Sequence, residues 1–146
     1  MHPTRPILTA IFAATLAAPA SAYTASNGLT VVPAPGGFEV VSGVGSGPRQ
    51  FWCAAGDYAR RVERSGTNRR IFIAGPLGPS KTAPGRTSVI FTTAPSAALA
   101  NGPRLGDNGN YSVLLKAAGF SLTTGHAEGF CADNWEDLSE RRPSNW

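Results

Sequence analysis

The stretch Phe51-Trp52-Cys53-Ala54-Ala55-Gly56-Asp57-Tyr58-Ala59-Arg60-Arg61-Val62-Glu63-Arg64 decides how the rest of the chain is read. At about 100° per residue, Phe51, Ala55, Tyr58 and Val62 fall on one stripe, widened by Trp52, Ala54 and Ala59. This predicts an amphipathic helix with that stripe against the core. Cys53, Asp57, Arg60 and Arg64 fall on the opposite side, so a bond at Cys53 requires a segment crossing the outer face of the helix, and the C-terminal tail is the candidate. Upstream, Ser42 to Pro48 is rich in Gly and Ser, with Ser46 placed to cap and Pro48 suited to a first helical turn. Downstream, Ser65-Gly66 ends the helix, and Arg60, Arg61 and Arg64 favour its negative end.

Short β-branched and aromatic runs flank this helix. Leu29 to Val32 and Phe38 to Val41 predict two strands, joined as a hairpin through Pro33-Ala34-Pro35-Gly36-Gly37, and Tyr23 to Asn27 before them reads as a polar, frayed start. Arg69 to Ala74 and Thr87 to Thr92 predict an antiparallel pair, with Pro76, Pro79 and Pro84 in the loop between them. Pro95 to Asn110 reads as a long loop, Tyr111 to Lys116 as a fifth strand, and Thr124 to Cys131 as one or two helical turns that deliver Cys131. These elements do not alternate as a βαβ series. The expectation is an α+β fold, a small antiparallel sheet of about five strands packed against one main helix.

The compartment follows from the other end of the chain. His2 and Arg5 precede an apolar run from Ile7 to Ala18, far shorter than the roughly 20 residues of a membrane span, and Ala20-Ser21-Ala22 offers small residues before a cut. Residues 1 to 22 read as a signal peptide, and residues 23 to 146 as one domain with a polar C-terminal tail. The expected destination is the periplasm or the exterior, with no transmembrane anchor in the mature chain. Cys53 and Cys131 are the two cysteines, so an oxidising compartment predicts one disulfide between them. The net charge of +4 is too mild to argue for a nucleic-acid partner.

The sharpest catalytic arrangement treats Cys53 as a nucleophile with His126 as its base, the order of papain-like or cell-wall-amidase-type cysteine hydrolases. Against it stands the pairing of Cys53 with Cys131. Cys53, His126, Cys131 and Asp133 have the number of ligands zinc accepts, but no C-x-x-C or H-x-x-x-H spacing, so no metal and no cofactor is expected. The acids Asp133, Glu136, Asp137 and Glu140 cluster in the tail and read as a solvated face. No nucleophile elbow, P-loop or dinucleotide fingerprint is present. Gly43-Val44-Gly45-Ser46-Gly47 reads as a turn before the helix, with an anion at the helix start as the alternative. Arg60, Arg61, Arg64, Arg69 and Arg70 form the densest basic group and are the candidate anion-binding residues. Of the tryptophans, Trp52 reads as core, while Trp135 and Trp146 lie in the tail.

The segments Phe51-Trp52-Cys53-Ala54-Ala55-Gly56-Asp57-Tyr58-Ala59-Arg60, Gly75-Pro76-Leu77-Gly78-Pro79-Ser80 and Val89-Ile90-Phe91-Thr92 together resemble small exported proteins of alphaproteobacteria. The resemblance spans Phe38 to Cys131. It implies no activity, and it implies that the helix, the two strands and the late Cys131 belong to one module. By elimination, the expected function is a non-enzymatic periplasmic or secreted domain that binds a ligand, an envelope component or a protein partner. The rival is the hydrolase built on Cys53 and His126.

Overall fold

Alternating β-branched and aromatic residues build a six-stranded sheet in the computed structural model, which describes residues 21–133. Residues 1–20 of the expected signal peptide, and Trp135, Glu136, Asp137, Leu138, Glu140 and Trp146 of the tail, lie outside the described residues. The elements in chain order are β1 (Tyr23–Thr24), β2 (Thr30–Ala34), β3 (Gly37–Val41), α1 (Pro48–Arg61), β4 (Arg70–Pro79), β5 (Thr87–Thr92), α2 (Ala97–Ala100), β6 (Ser121–Thr123) and α3 (Thr124–Gly129). The strand order is β1-β2-β3-β5-β4-β6, and every neighbouring pair is antiparallel. The fold class is α+β, with one main helix and one disulfide.

The β2–β3 hairpin closes between Ala34 and Gly37, with Pro35 and then Gly36 at φ +77°, the residues a type II turn asks for. From β3 the chain crosses through α1 to β4, and β5 then inserts antiparallel between them, giving a split β-α-β unit. Val31, Phe38, Val40, Ile71, Ile73, Val89, Phe91 and Leu122 from the sheet meet Phe51, Trp52, Ala55, Tyr58 and Ala59 of α1 in one core. Trp52 is fully buried, edge-on to Phe91 at 4.8 Å and to Phe120 at 5.9 Å. Its indole N–H donates to the Leu114 carbonyl at 3.0 Å, so the buried polar atom is satisfied.

Several local expectations are corrected. The residue in the cap position of α1 is Gly47, whose N–H donates to Gln50 Oε1 at 2.9 Å, while Ser46 Oγ turns back to Gly43. The helix stops at Arg61, and Val62 is 45% exposed instead of joining the core stripe. The break comes at Arg64, which adopts φ +58° and lets the Ser65 N–H close back on the Ala59 carbonyl. Cys53 and Asp57, expected on the outer face, are both buried: Cys53 is bonded to Cys131 just after α3, and Asp57 is covered by Tyr23 and Ser26. The segment needed to reach Cys53 is therefore α3 and the turn after it.

Tyr23 to Asn27 is not frayed. Tyr23 and Thr24 pair with β2, the Tyr23 hydroxyl and the Ser26 N–H donate to Asp57, and the Asn27 amide donates to the Gln50 carbonyl. Tyr111 to Lys116 is not a strand, and the sixth strand is Ser121–Thr123 instead. The ladder that Tyr111 to Lys116 would need is interrupted on β4, where the register shifts between Ile73 and Gly75 and again between Gly75 and Gly78. Pro76 has no N–H to offer there. A single bond, from the Leu77 N–H to the Leu115 carbonyl at 2.8 Å, ties the segment to β4. Pro76 and Pro79, expected in a loop, thus lie within β4.

The sheet face away from α1 carries a buried carboxylate. Glu39 is 1% exposed and accepts from Ser80 Oγ at 2.7 Å, the Lys81 N–H at 3.0 Å and Thr82 Oγ1 at 2.7 Å, pinning the loop between β4 and β5 onto the sheet. Burial alone would raise its pKa, but hydrogen bonds from Ser88, Ser80, Thr82 and the Lys81 N–H outweigh it and hold the carboxyl at about 2. A folded pKa below the unfolded one adds stability that is full above about pH 4.5 and is lost as pH falls towards 2. The shift corresponds to on the order of 3 kcal/mol. Urea unfolding of the native protein should lose that increment across this window, whereas Glu39→Gln should start lower at pH 7 and vary less. Parallel pH profiles for the two proteins would refute the account.

Candidate functional site

Cys53 is the sixth residue of α1, is 0% exposed, and is bonded to Cys131 with a Cα–Cα distance of 4.9 Å. A nucleophile at this position has no thiol in the oxidised chain. His126 sits exposed in the first turn of α3, its N–H donating to Thr123 Oγ1 and its ring 5.2 Å from Phe130. Among the described residues no group of three or more His, Cys, Asp and Glu is placed to hold a metal ion.

The five candidate arginines divide between places. Arg60, Arg61 and Arg64 line an open cleft of about 650 Å³ with Ser65 and Glu128. Arg60 donates to Glu128 at 3.3 Å and to the Ser65 carbonyl, and Arg61 donates to Asp57 at 2.6 Å. Arg69 is turned to the Thr93 carbonyl and Arg70 to Ser121. Burial, and then the charge of Arg104, lowers the Arg70 pKa. The arginines of the 650 Å³ cleft sit around the carbonyl end of α1, whose dipole repels an anion, and two of them already face carboxylates. Asp57 itself serves the fold: it accepts from Tyr23, Ser26 and Arg61. Burial first, then the hydrogen bond and charge of Asp57, push the Tyr23 phenol up to about 12.

A different concavity forms at the other end of α1. Phe51 from the first turns of the helix, Leu77 from β4, and Val113, Leu114 and Leu115 from the segment before β6 enclose an apolar pocket of about 310 Å³. Ser46, Thr87 and Lys116 also line it. A more polar cleft of about 510 Å³, lined by Pro48, Arg49, Gln50, Tyr111, Ser112 and Val113, adjoins it through the shared Pro48 and Val113. Among the described residues no acidic one lines either.

The wall made by Val113 to Lys116 is fixed from both sides. The Trp52 indole holds the Leu114 carbonyl from beneath, and the Leu77 N–H holds the Leu115 carbonyl from β4. With its carbonyls committed to these donors, the segment turns apolar side chains towards Phe51 and Leu77. Reasoning from sequence missed this groove because Tyr111 to Lys116 reads as a strand, which would have placed alternate residues on opposite faces. The available signal was Leu77, an isolated large apolar residue set between Gly75-Pro76 and Gly78-Pro79.

Chemically, the arrangement offers shape, an apolar floor and a basic rim, and among the described residues its lining holds no thiol, imidazole or carboxylate. Arg49 on the outer cleft is already engaged, donating to Asp133 at 2.9 Å and lying 5.4 Å over the Phe130 ring. Comparisons with known protein families, with curated proteins and with solved structures find no match to this chain.

Proposed function

We propose that this chain is an exported, non-enzymatic domain, held by one disulfide, that binds a small apolar ligand in the groove where α1 begins. The observation that carries the reading is the pocket between Phe51, Leu77 and Val113 to Leu115. An apolar concavity with a few polar groups at its rim is the usual form of a small-molecule site, and 310 Å³ falls at the small end of that class. Export is supported by the charged start, the apolar run and Ala20-Ser21-Ala22 before Tyr23, and by a disulfide, which persists in oxidising compartments. No helix among the described residues is long and apolar enough to cross a membrane. Of the partners open to a binding domain, the groove favours a small molecule over an envelope polymer.

The neutral fluorophore N-phenylnaphthylamine tests this directly on the protein purified from the periplasm, whose intact mass should start at Tyr23. Saturable, equimolar binding and a raised melting temperature are expected. Val113→Trp, which fills the groove, should abolish both while leaving the far-ultraviolet circular dichroism unchanged. Undiminished fluorophore binding by Val113→Trp, or no saturable binding to the native protein, would refute the reading.

A further inference from the structure

Rim chemistry narrows the ligand. Lys116 is exposed and lines the apolar pocket, Ser46 and Thr87 share that lining, and among the described residues no Asp or Glu lines it or the adjoining cleft. An ammonium beside an apolar floor, with no carboxylate among the described residues that line either cleft, complements a molecule that is apolar along its length and negative at one end. We infer that the groove takes a single-chain amphiphile with an anionic head, its chain between Phe51, Leu77 and Leu115 and its head at Lys116. This rests on the reading of the groove as a ligand site. The shared chemistry is a carboxylate or phosphate on an alkyl chain, and the source is a free molecule in solution. A lipid still in its bilayer fits less well, because the described residues expose only three large apolar side chains, Val44, Val62 and Tyr111, and Val62 lies at the far end of α1 from the groove.

The test is displacement of N-phenylnaphthylamine from the full chain by decanoate, by decanol and by decyltrimethylammonium, each below its micellar concentration. Decanoate is expected to compete about fivefold better than decanol, the size of preference one solvent-facing charge supplies, and the cation least well. Raising the salt should shrink the preference. Lys116→Met should erase it, and Lys116→Glu should reverse it. Equal displacement by decanoate and decanol overturns the anionic head while leaving the groove a ligand site. Failure of the fluorophore itself to bind removes both.

Three other occupants have their own signatures. Binding to phosphatidylglycerol vesicles that Lys116→Glu abolishes would move the source to a membrane surface and overturn the inference. Methyl signals of Val113 and Leu115 that shift with protein concentration alone would assign the groove to a second copy of the chain. Shifts of the same methyls on Trp135→Ala, with no ligand added, would assign it to the chain's own C-terminal segment.

Discussion

Gly56→Ala is expected to lower the unfolding free energy by about 2 to 4 kcal/mol, the range of severe overpacking. A Cβ built at Gly56 would stand 2.4 Å from the Glu128 nitrogen and 2.9 Å from both the Ala127 carbonyl carbon and the Glu128 Cα. All three are backbone atoms of α3, so no side-chain rotation relieves the contact and the whole short helix must move off α1. Local propensity argues the other way: alanine in a helix interior is worth about 1 kcal/mol over glycine. The two effects differ in sign, which makes urea unfolding decisive. A variant more stable than the native protein would mean that α3 does not lie against Gly56.

Removing the disulfide by Cys53→Ala with Cys131→Ala is expected to lower stability by about 3 kcal/mol, within the usual range of 2 to 4. The bond joins residues 78 apart, for which the chain-entropy model gives about 4.5 kcal/mol, and the buried Cys53 sulfur also leaves a small gap. Alanine is preferred to serine here, because a hydroxyl in this buried position would add a desolvation penalty of its own. Both lesions act on the same contact, the seating of α3 on α1, so they should not add. In the chain without the disulfide, Gly56→Ala should cost clearly less than in the native chain. Full additivity would show that the bond and the Gly56 contact support the fold independently.

The parts of this fold that were legible in the sequence are those with a strong local period. α1, the β2–β3 hairpin and β5 follow from apolar spacing and turn residues, and the Cys53–Cys131 pairing follows from there being two cysteines in a chain read as exported. The complete burial of α1 from Phe51 to Ala59 was not legible from the stripe, because it depends on α3 arriving from far along the chain and on Tyr23 and Ser26 covering Asp57. In hindsight the small residues Ala54 and Gly56, with Cys53 on the face turned from the stripe, mark a close approach. Strand β1 was hidden for a similar reason. Two polar-flanked residues gain a partner only when Asp57 collects the Tyr23 hydroxyl and the Ser26 N–H.

The groove was the least legible feature. Its walls come from α1, β4 and the segment before β6, and the last of these carries a strand-like pattern without a ladder to join. Reading Tyr111 to Lys116 as a strand spends its apolar residues on the core. Bulges in β4 release them to form a concavity instead. The arginine group illustrates the converse case. Density in sequence suggested one anion site, but the turn at Arg64 and the start of β4 separate Arg60, Arg61 and Arg64 from Arg69 and Arg70.

The covalent ring closed by Cys53 and Cys131 contains β4, β5, β6, α2, all of α3 and the long stretch from Ala94 to Asn110, and leaves β1, β2 and β3 outside it. A protease that cuts once anywhere inside the ring opens the chain without releasing a piece. Both fragments stay joined through sulfur, with the outer hairpin still zipped to β5 and Trp52 still packed on Phe91. Nicking, which ends the life of many domains, is for this one an event that reduction must complete.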